Sequence, residues 1–218
     1  MITISGKIID ESSPVFIIAE LSGNHNGKIQ NAIDAIVAAK KTGADAIKLQ
    51  TYTPDTITIN SDKEYFQIKY GTIWDGTTLY KLYQQAYTPW EWHKELFRIA
   101  KEEGIICFSS PFNNSAIELL ESLDCPAYKI ASPEILDTNL IEQAALTQKP
   151  IIISTGIGTI DDISLAIETC KKASNNQIAI LKCTVAYPAS LSDADLITIE
   201  DMAKRFGVLA GLSDHTLG

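Results

Sequence analysis

The sequence has no long hydrophobic run and few cysteines. Its longest apolar runs, such as Val15 to Ala19 and Ile151 to Ile153, fall far short of the ~20 residues that span a bilayer. The first residues have neither the basic segment nor the apolar stretch of a secretory signal peptide. The 4 cysteines lack CxxC spacing, which argues against a zinc ribbon or a disulfide scaffold. We interpret them as reduced core thiols and expect a cytoplasmic protein that does not bind membranes.

Positive charge is also scarce. The chain has 18 Lys and Arg against 27 Asp and Glu, a net charge of −9. Such an acidic excess repels nucleic acid and anionic membranes, so we expect neither as a partner. It is compatible with a small anionic ligand, because a pocket sets its own local field. With 218 residues, 45% of them hydrophobic, the chain has the composition of a globular protein with a sizeable core.

The sequence does have a repeated pattern in which an apolar run ends in polar residues and a helical stretch follows. Near-continuous apolar runs are typical of parallel strands that are covered on both faces. The predicted strands are 15–20, 46–50, 105–110, 127–132, 150–155, 178–184 and 208–214. The predicted helices are 29–42, 88–104, 115–123, 139–146, 161–173 and 199–206, and 51–87 is a long insertion. This alternation predicts an α/β fold.

Two α/β architectures fit this pattern. The sequence has no GxGxxG motif after its first strand, and a doubly wound open sheet places functional residues mainly around one switch point. A (β/α)8 TIM barrel gathers all its strand ends on one face, which explains polar residues after nearly every strand. We therefore predict a single TIM-barrel domain over residues 1–218, truncated after the seventh strand.

Three lysines lie near the ends of apolar strands, where a charge is costly unless it is paired. They are Lys48, Lys129 and Lys182. At one barrel mouth, with the neighbouring hydroxyls, they would form a receptor for a phosphate and a carboxylate. Each charge pair at about 4 Å and an effective dielectric near 20 is worth roughly 4 kcal/mol before desolvation. The alternative is that the lysines pair with Glu20, Glu134 and Asp214 and only stabilise the barrel.

The 3 histidines have different predicted roles. His93 lies on a helix away from any strand end, and we interpret it as a surface or packing residue. His25 follows the first strand and either lines the pocket or hydrogen-bonds within its turn. His215 is a candidate metal ligand, with Asp214 beside it to orient the ring. One histidine does not define a metal site.

Several motifs, taken in order, resemble the sialic acid synthase family. These are Ala19-Glu-Leu-Ser-Gly-Asn-His-Asn-Gly27, Ile47-Lys-Leu-Gln-Thr51, Phe108-Ser-Ser-Pro-Phe112, Pro126-Ala-Tyr-Lys-Ile-Ala-Ser132, Ile153-Ser-Thr-Gly156, Lys182-Cys-Thr184 with Tyr187-Pro188, and Gly211-Leu-Ser-Asp-His-Thr216. The segments 51–56, 74–76 and 88–93 are similar to the branch of the family that makes pseudaminic acid.

The resemblance implies a metal-dependent transferase that forms a carbon–carbon bond. It would condense phosphoenolpyruvate with a 2,4-diacetamido-trideoxyhexose aldehyde to give pseudaminic acid and phosphate. It also implies a divalent metal, Mn²⁺ foremost with Mg²⁺ or Co²⁺ as alternatives, and a homodimer whose barrel precedes an antifreeze-like domain. The chain stops after the predicted seventh strand, so we expect a fragment, inactive alone, without the eighth strand and the antifreeze-like domain.

The resemblance also assigns roles to residues. Phosphoenolpyruvate would be held by Lys48, Ser110, Lys129, Ser132, Ser154 and Ser213, with Lys182 and Thr184 as further substrate-binding residues. Glu20, Gln50 and Tyr187 would contact the sugar, and His215 would bind the metal. Glu134 would lie near the reacting carbons, and we take it with Glu20 and Lys129 as the catalytic group. Val185 and Pro133 depart from the family pattern near the phosphate and near Glu134.

Three alternatives stay open. The product could be N-acetylneuraminate or legionaminate. The enzyme could be an aldolase that forms a Schiff base on Lys129 or Lys182. The chain could be a phosphosugar-binding remnant without activity.

Overall fold

The computed structural model describes residues 1–69, 71 and 74–217. The chain divides into two compact units, Ile17–Cys125 and Met1–Phe16 with Pro126–Gly218. The strands described are β1 (Ile2–Ile4), β2 (Lys7–Ile9), β3 (Ile18–Glu20), β4 (Ala46–Thr51), β5 (Ile106–Pro111), β6 (Tyr128–Ile130), β7 (Ile151–Ser154), β8 (Ile178–Cys183) and β9 (Leu209–Ser213). The helices described are α1 (Ile29–Lys41), α2 (Pro54–Ile57), α3 (Leu79–Ala86), α4 (Trp90–Glu103), α5 (Asn114–Ser122), α6 (Thr138–Leu146), α7 (Ile160–Lys172) and α8 (Ile197–Phe206).

The unit Ile17–Cys125 is built on three parallel strands. β4 pairs with β3 on one side and with β5 on the other. It is buried at all but one of its positions, as expected of a strand covered on both faces. Ile36 of α1 and Leu96 of α4 pack with Leu49 of β4 in one apolar core. Because the strands are parallel, their carboxyl ends lie at the same edge.

Local sequence sets where the helices of this unit begin and end. The Asn113 side chain accepts a hydrogen bond from the backbone N–H of Ala116 and so caps α5. α4 ends at Gly104, whose φ of +69° lies in the left-handed region that favours glycine. The next strand can therefore begin within two residues of the helix end.

The other unit contains an antiparallel hairpin, β1 with β2, and a parallel set in the order β6, β7, β8 and β9. β7 is buried at every position. α6 is capped by Asp137, and α7 begins with a reciprocal capping pair between Thr159 and Asp162. These caps fix where the two helices begin, after the short segments that follow β6 and β7.

The predicted α/β class and the seven parallel strands are confirmed by the described residues. The predicted helices are present with ends that differ by one or two residues. The sequence analysis missed the β1–β2 hairpin and the 3₁₀ turn Ser132–Leu136. The insertion forms α2, a 3₁₀ turn at Glu64–Phe66 and α3, while positions 70, 72 and 73 of it lie outside the described residues. No helix in the described ranges is long and apolar enough to cross a membrane.

Candidate functional site

The strand ends of the unit Ile17–Cys125 hold an ion pair between two predicted site residues. Glu20 and Lys48 are register partners on β3 and β4. The Nζ of Lys48 donates to Oε1 of Glu20 at 2.7 Å, and the lysine side chain is only 6% exposed. Nε2 of Gln50 donates to the same oxygen at 3.2 Å. The pairing that the sequence analysis kept as an alternative is therefore present for Lys48.

Ser110 lies opposite Gln50 in the strand register. Its side chain is buried, and its Oγ has no hydrogen-bond partner among the residues the structure describes. The hydroxyl of the preceding residue, Ser109, is 2.7 Å from Thr51 Oγ1. A buried hydroxyl without a hydrogen-bond partner is costly. Because Ser109 has a partner and Ser110 has none among the described residues, Ser110 is a candidate ligand-binding residue.

Lys129, Ser132 and Glu134 follow one another at the end of β6. Lys129 is 8% exposed and Ser132 is 4% exposed. The Ser132 Oγ accepts a hydrogen bond from the backbone N–H of Ile157 at 2.9 Å. Oε2 of Glu134 is buried without a hydrogen-bond partner in the described part of the chain.

The pKa of Glu134 is raised above its ordinary value. Burial of the carboxyl is the main cause, and the nearby Asp137 adds to it, while Lys129 and a backbone hydrogen bond oppose it. A carboxyl whose pKa moves toward neutral pH is a better general base or acid near that pH. The site prediction that made Glu134 a proton-handling residue is consistent with this environment.

β7 ends in Ser154, a second buried serine, and the backbone that follows it at Gly156 passes close to Val185 and Ser132. Ser154 is fully buried, and its Oγ has no partner among the described residues. Thr155 donates its hydroxyl to the carbonyl of Leu181 at 3.0 Å. A Cβ on Gly156 would stand 2.5 Å from Cγ2 of Val185 and 3.0 Å from Oγ of Ser132. Gly156 therefore lets the strand end pass close to Ser132.

Lys182 does not extend freely from β8. Its Nζ donates to Thr184 Oγ1 at 2.6 Å and to the backbone carbonyl of Asp193 at 2.7 Å. Thr184 also donates its hydroxyl to that carbonyl at 2.9 Å. Lys182 and Thr184 thus fix the segment after β8, which argues against Lys182 as a Schiff-base nucleophile.

His215 is oriented by a backbone carbonyl, and the prediction that Asp214 orients it is wrong. Its Nδ1 lies 2.9 Å from the carbonyl oxygen of Thr184. The Asp214 carboxylate instead accepts hydrogen bonds from Thr216, because a turn at the end of the strand brings these neighbours together. A carbonyl only accepts, so Nδ1 carries a proton and donates it to Thr184, which leaves Nε2 for another partner.

Tyr187 and Ser213 lie in the same part of the chain as His215. The exposed Tyr187 ring lies 4.3 Å from the His215 ring. Ser213 ends β9 and pairs through its backbone with Cys183. The structure thus brings Tyr187 and Thr184 into contact with His215.

The residues present fit a divalent metal only in part. Nε2 of His215 fits as one ligand, since the opposite ring nitrogen is held by a backbone carbonyl. Across residues 1–69, 71 and 74–217, no group of three or more His, Cys, Asp or Glu side chains could hold a metal ion. Sequence reasoning reached the same ligand and no second one.

The structure decides the roles of the other two histidines. His93 is fully buried, and its Nε2 lies 2.9 Å from Thr51 Oγ1 at the end of β4. The prediction that it lies away from any strand end is therefore wrong, because α4 packs against β4 and turns this residue inward. His25 is fully buried, and its Nδ1 accepts the backbone N–H of Gly27 at 3.1 Å, as the turn role requires, while its Nε2 has no hydrogen-bond partner among the described residues.

The insertion 51–87 contains a cavity at the motif Trp74-Asp-Gly76, which the sequence did not predict. A cavity of about 290 Å³ is lined by Trp74, Asp75, Gly76, Thr77, Leu82 and Gln85. The tryptophan is 47% exposed. The motif Trp74-Asp-Gly76, which carries part of the family resemblance, thus shapes a surface depression.

Comparison with known proteins gives a matching family and several similar relatives. The family model described as "NeuB family" matches residues 35–218. A pseudaminic acid synthase from Helicobacter pylori is 52% identical over 205 residues, 94% of this chain and 60% of that protein. An N,N'-diacetyllegionaminic acid synthase from Legionella pneumophila is 36% identical over 211 residues, 95% of this chain and 59% of that protein.

A solved structure of N-acetylneuraminic acid synthetase from Leptospira borgpetersenii, in complex with citrate, has a TM-score of 0.83. It is 27% identical and matches 99% of this chain and 72% of that one. The likeness confirms the predicted barrel fold class. The chain spans about 60% of the length of the curated relatives it matches.

Proposed function

Because the chain belongs to the NeuB family, we propose that it serves the condensation of phosphoenolpyruvate with a 2,4-diacetamido-trideoxyhexose aldehyde, which gives pseudaminic acid and phosphate. The greater identity to a pseudaminic acid synthase, 52% against 36% for a diacetyllegionaminic acid synthase, supports this choice of sugar. The reaction forms a carbon–carbon bond and releases phosphate from the enol ester.

One structural observation carries the proposal. Ser110 Oγ, Ser154 Oγ and Glu134 Oε2 are buried atoms without a hydrogen-bond partner among the described residues. Ser110 and Ser154 lie at the carboxyl ends of β5 and β7, and Glu134 follows β6. All three were predicted as site residues from motifs. Because natural proteins rarely leave such atoms unsatisfied, these atoms are expected to find partners in a ligand or in water.

Lys129, Ser132 and Ser154 supply the groups that an anionic substrate needs. An ammonium group pairs with phosphate or carboxylate, and hydroxyls donate to their oxygens. The resemblance assigns Lys48, Ser110 and Ser213 to the same substrate. It assigns Glu20, Gln50 and Tyr187 to the sugar.

The reaction follows from these groups. C3 of phosphoenolpyruvate attacks the aldehyde carbon, and the aldehyde oxygen takes a proton. Positive charge develops at C2, where water adds while Glu134 accepts its proton. The C2–O bond to phosphate then breaks, the phosphate leaves with the electron pair, and loss of the C2 hydroxyl proton gives the ketone. The lysine and hydroxyls stabilise the departing phosphate.

A divalent metal, a homodimer and a cytoplasmic location complete the proposal and rest on the resemblance. His215 would be one metal ligand through Nε2. When bound, the metal would polarise the aldehyde carbonyl as a Lewis acid.

Phosphate release tests the proposal. Protein expressed from the complete reading frame that encodes these residues is incubated with phosphoenolpyruvate, Mn²⁺ and the diacetamido sugar, with N-acetylmannosamine as the comparison sugar. We expect phosphate and a nine-carbon acid in equal amounts, with the diacetamido sugar preferred. Phosphoenolpyruvate labelled with ¹⁸O in its bridging position should give labelled phosphate. Absence of sugar-dependent phosphate release would overturn the proposal.

A further inference from the structure

Behind the strand ends of β4 and β5 lies a buried chain of three polar side chains. His93 Nε2 is 2.9 Å from Thr51 Oγ1, which is 2.7 Å from Ser109 Oγ. All three residues are fully buried. The other ring nitrogen of His93, Nδ1, lies 3.2 Å from the backbone carbonyl of Pro89. The chain therefore connects helix α4 to both strands.

We assign the direction of each hydrogen bond in this chain from the Pro89 carbonyl and a neutral His93 ring. The Pro89 carbonyl only accepts, so Nδ1 of His93 carries the proton and Nε2 of the neutral ring must accept. Thr51 therefore donates its one hydroxyl proton to His93. Ser109 must then donate its own proton to Thr51. A network with all its members satisfied holds its side chains in one arrangement.

The chain lies on the opposite face of the strands from the proposed substrate residues. Side chains alternate between faces along a strand. Thr51 and Ser109 share one face, while Gln50 and Ser110, which are register partners, share the other. Fixing the first pair therefore fixes the backbone that aims the second pair.

Two further contacts tie α4 to this strand end. The backbone carbonyl of Gln50, with those of Pro89 and Trp90, faces the His93 ring. Nε1 of Trp90 donates to the backbone carbonyl of Tyr52 at 3.1 Å. Burial lowers the pKa of His93, so the ring stays neutral and able to accept at neutral pH.

We propose that His93 is a positioning residue that acts through Thr51 and Ser109 to hold Gln50 and Ser110 in the geometry that binds substrate. The inference rests on the proposed function for its ligand, phosphoenolpyruvate. The hydrogen-bonded set His93–Thr51–Ser109, called the relay below, exists in the free protein and does not depend on the proposed function.

The variants are chosen to remove one proton donor without changing shape. Thr51→Val deletes the hydroxyl in the middle of the chain, and Thr51→Ser keeps it. Thr88→Val is the matched control, since Thr88 is equally buried and its Oγ1 has no partner among the described residues. All three variants are made in the full chain and compared first by thermal unfolding.

Nuclear magnetic resonance of the free protein tests the relay. We expect the His93 ring as the Nδ1–H tautomer. In Thr51→Val the amides of Gln50 and Ser110 should shift and exchange faster, while Thr51→Ser and Thr88→Val leave them unchanged. The Nε2–H tautomer, or Gln50 and Ser110 amides that do not respond to Thr51→Val, would overturn the proposal.

Binding of phosphoenolpyruvate is measured on the same proteins by calorimetry. Thr51→Val should raise the Kd about 10-fold, as loss of one buried hydrogen bond allows, and raise KM far more than it lowers kcat. Equal changes in Thr51→Val and Thr88→Val would also count against the relay. If the unmodified protein binds no phosphoenolpyruvate, the proposed function fails, and the resonance experiment still decides the relay.

Discussion

At the end of β5, two neighbouring serines differ in whether the buried hydroxyl has a hydrogen-bond partner among the described residues. Ser109 and Ser110 are neighbours with the same side chain and the same burial. Ser109 has its hydroxyl bonded to Thr51, and Ser110 has no partner for its hydroxyl among the described residues. Leaving a buried polar atom unpaired costs about 1–3 kcal/mol. Such a cost is understandable at a site where a ligand supplies the missing partner.

The two serines should therefore respond in opposite ways to alanine. Ser110→Ala removes an unsatisfied group, so stability should stay the same or rise by up to about 1 kcal/mol, while phosphoenolpyruvate binding weakens. Ser109→Ala leaves Thr51 without its donor and should cost about 1 kcal/mol. Denaturant unfolding and calorimetric titration give both quantities. A Ser110→Ala variant that is destabilised and binds normally would contradict this interpretation.

Glu134→Gln tests a carboxyl whose pKa is raised chiefly by burial, with Asp137 contributing and Lys129 opposing. The folded protein holds the Glu134 proton more tightly than the unfolded chain does. The protonated carboxyl therefore stabilises the folded state below the pKa of the unfolded chain, and this contribution is lost as pH rises through the raised pKa of the folded protein. The amide cannot ionise, so Glu134→Gln should raise the melting temperature at pH 7 and lose that advantage near pH 4.

Activity should change in the opposite sense. If Glu134 accepts a proton from water, Glu134→Gln should lower kcat about 10²- to 10⁴-fold. The unmodified enzyme should lose rate as pH falls through the raised pKa, since the base must be ionised. Glu142→Gln is the control, because the Glu142 side chain that it replaces is exposed on α6. A variant with normal kcat would remove Glu134 from the mechanism.

At the scale of elements, the approach of β7 to the segment after β8 depends on one glycine. A Cβ on Gly156 would stand 2.5 Å from Val185 Cγ2 and 2.9 Å from the carbonyl of Cys183. Val185 is also a position where the sequence departs from the family pattern. The fit of these two residues is local, so no pattern in the sequence alone predicted it.

Gly156→Ala should destabilise the protein by about 1–3 kcal/mol, the usual cost of overpacking. Adding Val185→Ala should recover part of that loss, because the Cys183 carbonyl still stands close. Gly158→Ala is the matched control, since its nearest neighbour is the flexible end of Ile135 at 3.0 Å. Equal unfolding free energies for the two glycine variants would show that the backbone at Gly156 does not pass closely by Val185 and Cys183.

The sequence predicted the parallel strands because each is a continuous apolar run, which burial on both faces requires. It did not predict the β1–β2 hairpin, whose strands are too short to show a period. Ser5 and Gly6 form the turn between these strands, and both have positive φ, at 48° and 80°, as two-residue hairpin turns require. The glycine at this position was the signal for a turn in the sequence. His93 was misjudged because the packing of α4 on β4 is a tertiary contact.

For the whole molecule, a net charge of −9 is compatible with the proposed anionic substrate. Lysines that are buried beside hydroxyls act at short range in a low dielectric, while surface carboxylates are screened beyond about 10 Å at 0.1 M salt. Motifs predicted these lysines and hydroxyls. The sequence analysis kept the pairing of Lys48 with Glu20 as an alternative, and the structure shows it between register partners on β3 and β4. The sequence did not predict that Lys182 binds the Asp193 carbonyl, because that contact depends on the position of the segment after β8.

Calorimetric titration of phosphoenolpyruvate into the Lys129→Met variant tests the central claim most directly. Lys129 is buried at the end of β6, and truncating one member of a buried charge pair costs about 2 kcal/mol or more, which is a rise in Kd of at least roughly 30-fold. Lys172→Met, at the exposed end of α7, should bind as the unmodified protein does. Equal affinity in the Lys129→Met variant and the unmodified protein would contradict the claim that Lys129 at β6 binds phosphoenolpyruvate.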